Sequence, residues 1–322
     1  MHLRRCLITS FVTAAFVLPA AAGSASAPPT GDSGGAAGPE TRVVTDALGV
    51  EVEIPTGPLR IVVADDIALG NLLALGVTPI ATGVNTNSIP DFLGDQLDGI
   101  EDISTADSLG INIERLAALD PDLVLTVGVD WNEDNCNRLR EVATTFCYAY
   151  GYTTMEEIET NMTEVGRALG METEAAAEVA ELERRLVEMA DRVESNGLTD
   201  SPVSVLRVTG DGYSVRFGTV ESALMRALGM ARPENQQHYQ DFAFDLSPEN
   251  LLDIDAYGIY VYVDTDGADT YAQLEANPLW SQLEAVQNDR VWLVDGGVWN
   301  GISLPAAHAI LDDIDETFIT GT

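Results

Sequence analysis

The sequence predicts an α/β protein made of two doubly wound, Rossmann-like lobes joined by one long α-helix. Three observations carry that expectation. Short, predominantly apolar runs at residues 59–64, 123–127, 203–208 and 258–263 alternate with segments of helical periodicity, the pattern of a parallel sheet covered on both faces. The alternation stops midway, at a proline-free stretch over 154–195, and then restarts. The 322 residues, less an N-terminal leader, suit two domains of ordinary size.

Taken in order, the first lobe spans residues 42–171. A short extended segment to residue 54 comes first, then a β-run at 59–64, a helix through 71–76 and a β-run at 79–83. The same logic repeats with a helix at 113–119, a strand at 123–127, a helix near 133–142 and a strand at 145–149. From Glu172, Val179, Leu182, Leu186, Met189 and Val193 recur at spacings of three and four, which predicts one amphipathic helix over 172–196. At 1.5 Å per residue it is about 36 Å long, and Asn196-Gly197 ends it. The second lobe, 197–322, reads as a strand at 203–208, a hairpin-like stretch at 210–217, helices at 220–228 and 248–253, and a strand at 258–263. A helix at 279–286, a strand at 290–294 and a final helix at 305–318 complete it. Two such lobes on one rigid connector leave a cleft between them, and open α/β sheets bind ligands beyond the carboxyl ends of their strands.

Ahead of the lobes, residues 1–27 have the form of a signal peptide. Arg4 and Arg5 precede an apolar run over 6–17, and small residues stand at Ala25-Ser26-Ala27. The run is too short to span a bilayer, and the paired arginines are a weak sign of twin-arginine export. Residues 28–41 are rich in Pro, Gly and Ser and read as a flexible linker. No lipobox cysteine precedes it, because LPAAAG stands at that place. The mature chain is therefore expected outside the cytoplasmic membrane.

All sixteen basic residues are arginine, against 52 Asp and Glu, for a formal net charge of −36. Such a surface suits high salt and argues against nucleic acid as a partner. Beyond the leader's Cys6, only Cys136 and Cys147 remain. An even pair in an oxidising compartment suggests a disulfide, with two separate buried thiols as the alternative.

Several segments, in the same order, resemble the substrate-binding proteins of iron-siderophore and cobalamin ABC importers. They are VVTDALGVEVEIPTGPLRIVV followed by LLALGVTPIATG; Gly110-Ile111-Asn112-Ile113-Glu114-Arg115-Leu116 ahead of Leu119-Asp120-Pro121-Asp122-Leu123-Val124; and Asn277-Pro278-Leu279-Trp280 with residues 286–292. The resemblance covers nearly all of residues 42–320. It implies a protein that captures a ferric siderophore and delivers it to a permease, as a monomer and without a cofactor of its own. It also implies that Glu114 in INIERL and Glu249 in LSPENLL, one on each lobe, meet arginines of that permease. First-turn helical positions suit both carboxylates.

Ligand contacts are expected in loops at strand ends. From the first lobe these are Asp66 beside Asp65, Asn85 and Asn87, Leu109 in the 107–109 segment, and Trp131 beside Asp130. From the second they are Arg207, Tyr213, Arg216, His238, Tyr239, Phe242 and Trp299-Asn300. Aromatic side chains offer rigid contact area, and arginines can neutralise an anionic chelate. Trp280 and Trp292 sit in regular patterns and read as core. The sequence carries no P-loop, GxGxxG or GxSxG motif, and past the leader only His238 and His308, which argues against an enzyme and against a histidine-rich metal-ion site. Haem or cobalamin as ligand, or a surface module without transport, are the alternative readings.

Overall fold

The computed structural model describes residues 40–57, 59–84, 91–106, 110–129, 132–237 and 242–321. The expected signal peptide and all but the end of the expected linker lie outside these residues. Thr41, read as linker, already belongs to strand β1.

Strands β1 (Thr41–Thr45) and β2 (Glu51–Pro55) form an antiparallel hairpin. Asp46 closes its turn by accepting from the backbone N–H of Leu48 and of Val50, each at 3.0 Å, and Gly49 supplies the left-handed residue with φ of 76°. The first sheet follows as β3 (Ile61–Val63), α1 (Asp66–Ala74), β4 (Ala81–Thr82), a 3-10 helix at Asp91–Leu97, and β5 (Glu101–Asp102). It continues through α2 (Ile113–Leu119), β6 (Leu123–Val127), α3 (Glu133–Arg140) and β7 (Thr145–Tyr148). The strand order is β5-β4-β3-β6-β7 and every pairing is parallel. Cys136 of α3 is disulfide-bonded to Cys147 of β7, with Cα atoms 6.3 Å apart. Closing so short a loop contributes roughly 3 kcal/mol in the chain-entropy picture.

Helices α4 (Met155–Leu169) and α5 (Glu172–Ser195) come next. The sequence reading anticipated α5 at its full 24 residues but not α4 as a separate helix. A capping box marks the start of α4, with Thr154 Oγ accepting from the Glu157 N–H and Glu157 accepting in return from the Thr154 N–H. Gly170, at φ of 70°, ends it. A side chain at Gly166 would overlap Ala175, so the two helices pack closely because that position is bare.

The second sheet holds β8 (Val203–Thr209), β9 (Gly212–Arg216), α6 (Val220–Ala227), β10 (Ala243–Asp245), a 3-10 helix at Pro248–Ile254, and β11 (Gly258–Val263). Then come α7 (Ala268–Glu275), a 3-10 turn at Trp280–Gln282, α8 (Glu284–Gln287), β12 (Val291–Val294), α9 (Gly296–Trp299) and α10 (Leu304–Ile314), which runs into a π-turn at Asp315–Ile319. Its order is β10-β9-β8-β11-β12. Here the sheet is mixed, because β9 runs against its neighbours. Thr209 pairs with Gly212 across a two-residue turn, and so short a connection allows only antiparallel pairing. The helix read at 279–286 is broken in two, and that at 248–253 is a 3-10 helix kinked at Asn250.

One hydrophobic cluster runs from the first sheet (Val63, Leu125, Phe146) through α4, α5, α6 and α10 to the second sheet (Val205, Tyr260). Separate clusters fill the outer faces, Val62 and Val124 with Leu116 on one side, Leu206 and Val261 with Leu251 on the other. The inner helical layer is thus shared. The Leu304 N–H at the start of α10 donates to Asn71 Oδ1 of α1 at 2.8 Å, and any side chain at Gly70 would overlap Ser303. The connecting helix expected from the sequence is present, and it does not stand free. The connector α5 lies in a packed layer, tied to α10 and its π-turn by Arg185–Asp312 at 2.5 Å and Arg192–Asp315 at 2.6 Å.

Candidate ligand cleft

A cavity of about 210 Å³ opens between the two halves, lined by Tyr150 and Tyr152 just beyond β7, Arg216 at the end of β9, Glu221 in the first turn of α6, and Trp299 and Asn300 at the end of α9. The first sheet thus contributes a carboxyl-edge loop, as parallel-sheet topology requires. Tyr150 and Tyr152 were missed by sequence reasoning. The signal was available in YAYGY, a tyrosine pair immediately after an apolar strand.

The aromatic wall crosses from one half to the other. The Tyr150 and Tyr152 rings lie 5.2 Å apart, and Tyr152 stacks on Phe242 at 5.4 Å with planes 24° apart. Phe242 is 42% exposed and sits at φ of 54°, a left-handed conformation uncommon for a bulky side chain. Its carbonyl accepts from the N–H of Phe217 and of Gly218, at 2.9 and 3.0 Å, which fixes the unusual backbone in place. Strain of this kind concentrates at functional sites.

The two arginines differ. Arg207 is committed to Asp264, with Nη2 at 2.6 Å and Nε at 3.2 Å from the carboxylate. Its charge on an apolar strand is thereby satisfied, and with Tyr213 it lines a separate cavity of about 360 Å³. Arg216 has a buried Nε without a hydrogen-bond partner. Behind it, Arg232 donates to the Arg216 carbonyl and to Gln236.

Trp299 corrects an expectation. It is fully buried, its ring centroid 4.3 Å from that of Tyr260, and its indole N–H donates to Asp313 at 2.7 Å. It forms the floor of the cavity rather than an open contact. Trp280 is buried in the core, and Trp292, partly buried, packs against it with its ring 4.7 Å from that of Tyr260.

Two carboxyl groups in the cleft region are shielded from water, Glu221 fully and Asp65 in part. Glu221 is 1% exposed, accepts from the Thr219 hydroxyl, and is pushed up by burial, against the pull of Arg216 and Arg232. Asp65 caps α1, accepting from the Ala68 N–H at 2.8 Å, the Val127 N–H at 3.1 Å and the Tyr148 hydroxyl. Burial outweighs these donors and pushes its carboxyl up to about 7. Asp66 is accessible to solvent, yet desolvation raises its carboxyl too, which marks a group set in a crevice.

These shifts carry a sign. Between 3.8 and about 7 the folded protein keeps a proton on Asp65 that the unfolded chain has released. Stability is therefore greatest at the acid end of that window and falls as pH rises through it. Urea unfolding should show a protein less stable at pH 8 than at pH 5, by up to a few kcal/mol. The slope should be shallower in Asp65→Asn, and equal slopes in the two proteins would remove Asp65 as the cause.

Glu114 is exposed in the first turn of α2, whose cap is the Asn112 side chain accepting from the Arg115 N–H at 2.9 Å. Glu249 is exposed in the 3-10 helix after β10. Each follows a strand at the carboxyl edge of its own sheet. Asn85, Asn87, Leu109, Asp130, Trp131, His238 and Tyr239 lie outside the described residues. Among the described residues, no three His, Cys, Asp or Glu side chains gather as a metal cluster, and no helix is long and apolar enough to cross a membrane.

Two α/β halves around a shared helical layer, with an aromatic cavity between them, define a bilobal binding protein. The chain belongs to the periplasmic binding protein family, whose model matches residues 61–296. It is 27% identical over 297 residues to a probable siderophore-binding lipoprotein of Bacillus subtilis, covering 87% of this chain and 88% of that one. It is likewise 27% identical over 300 residues to the ferric enterobactin-binding periplasmic protein of Escherichia coli, covering 86% and 91%. Among solved structures it matches Staphylococcus aureus SirA complexed with staphyloferrin B, at a TM-score of 0.73 and 21% identity over 86% of this chain and 98% of that one. It also matches Bacillus subtilis FeuA complexed with ferri-bacillibactin, at 0.71 and 21% over 87% and 99%. Likeness at that identity speaks for the fold.

Proposed function

We propose that this chain is an extracytoplasmic solute-binding protein that captures a ferric siderophore and delivers it to the permease of an ABC importer. The observation that carries the reading is the cavity itself: tyrosines from one half, an arginine with an unpaired Nε from the other, and an exposed phenylalanine stacked across the gap. Such a surface offers apolar area to a chelate's organic scaffold and a charged donor to its oxygens. The siderophore-binding relatives, aligned over most of both chains, support it.

In this reading Asp66, Arg216 and Phe242 contact ligand together with Tyr150 and Tyr152. Glu114 and Glu249 are the docking points for permease arginines, and the protein acts as a monomer that binds and does not catalyse. Because the halves share one helical layer, ligand capture involves only a small closure.

The test is a calorimetric titration of the mature protein with ferric hydroxamate, catecholate and citrate-type siderophores, with cobalamin and haem as competitors. Saturable binding with a Kd below about 1 μM, some 8 kcal/mol, is expected for one ferric siderophore class. Binding of haem or cobalamin alone would replace the substrate while keeping the fold and the transport role.

A further inference from the structure

Resting on the siderophore reading, we infer that the cleft selects a ferric chelate of low net charge, a trihydroxamate rather than a trianionic tris-catecholate, with Arg216 as its charged hydrogen-bond donor.

The positive charge available in the cleft limits the choice. The chain has no lysine, so every fixed cation is an arginine. Among the described residues, two arginines line the two cavities at this end of the molecule, and Arg207 is already spent on Asp264. That leaves Arg216, whose Nε is buried, unpartnered and at the cavity wall. Glu221 lines the same cavity within electrostatic reach of Arg216, and Asp65 and Asp66 lie within that of Tyr150.

Three catecholates on ferric iron leave three negative charges, whereas three hydroxamates leave none. Moving a trianion from water to a cavity whose wall carries one arginine, with Arg232 behind it, in a protein of net charge −36 is unfavourable twice over, through lost hydration and through like-charge repulsion. A neutral complex avoids both. Its polar oxygens need donors, which Arg216 and the tyrosine hydroxyls supply, and its aliphatic arms can lie on Tyr152 and Phe242. The net charge of −36 extends the same bias to the approach, since it repels anionic complexes.

The experiment titrates the mature protein calorimetrically at pH 7.5 with ferrichrome, a neutral ferric trihydroxamate, and with ferric enterobactin, a tris-catecholate. Ferrichrome should bind at least about 100-fold more tightly. Arg216→Gln should weaken it by roughly 10-fold or more, and Arg216→Lys should restore part of the loss. Ferric enterobactin binding as tightly as ferrichrome would overturn the charge inference and leave the siderophore reading standing. Neither complex binding, nor any other ferric siderophore, would overturn both. Unchanged ferrichrome affinity in Arg216→Gln would remove Arg216 from the site. The comparison of the two ligands uses the unmodified protein, so it decides the charge class even if a variant misfolds.

Discussion

Uptake of the ferric ligand is expected to be abolished when Glu114→Arg and Glu249→Arg are combined, while the purified variant keeps its ligand affinity within about threefold, less than 1 kcal/mol. The reasoning starts from position. Both carboxylates are exposed, each in the first turn of a helical segment that follows a strand at the carboxyl edge of its sheet. Neither lines the cavity between the halves. A permease that presents arginines to both halves would meet bidentate acceptors in the native protein and like charges in the variant, which converts attraction into repulsion at two points. The fold should tolerate the change. Asn112 caps α2 through its own side chain, so Glu114 is not needed for that hydrogen bond. An arginine near the helix start forfeits only about 0.3–1 kcal/mol. Single reversals should each leave partial uptake. The measurements are transport of labelled ferric ligand in cells carrying the cognate permease, and calorimetry on the purified proteins. If affinity fell as far as transport, the two glutamates would belong to ligand binding and not to docking.

How much of this was legible beforehand follows from where each signal resides. Strands β6 and β11 and helix α2 match their sequence spans because burial on both faces forces continuous apolar runs, and because Asn112 and Leu119-Asp120-Pro121 punctuate the helix. The long helix α5 was equally clear, since Leu182, Leu186, Met189 and Val193 form one buried stripe. Helix α4 was not, although Thr154 and Glu157 form its capping box, because the proline-free stretch hid the break at Gly170. The shared helical layer could not be foreseen. It depends on Gly70 being bare where α1 meets Ser303, far off in sequence, and on Gly166 being bare where α4 meets α5, and a glycine in a helical pattern does not say what it touches. In the cleft, Arg207 and Arg216 looked alike on paper. What separates them is Asp264, at the end of a neighbouring strand, which only the pairing of β8 with β11 brings to Arg207.

Trp299 shows the same limit most sharply and leads to the second large effect. Glycine-rich surroundings, Gly296-Gly297 before it and Gly301 after it, made it look like a loop residue open to ligand. In the structure those glycines let α9 turn tightly against the sheet. Gly296 lies over Tyr262, and a side chain at Gly301 would stand only 2.7 Å from Ala306. The indole is carried into the core, against Tyr260 and hydrogen-bonded to Asp313. Trp299→Ala should therefore cost about 3–5 kcal/mol of stability, measured by urea unfolding, as truncation leaves a large void under the cavity. Trp299→Phe should lose less, about 1–3 kcal/mol, mainly because Asp313 is left without its donor. Its ligand affinity should stay within about threefold, since a ring still supports the floor. The discriminating result is affinity in the folded Phe variant. A loss of tenfold or more with little change in stability would mean that the indole itself meets the ligand. Retained affinity with reduced stability would place Trp299 in the supporting layer, with Tyr150, Tyr152, Arg216 and Phe242 left as the surface the ligand touches.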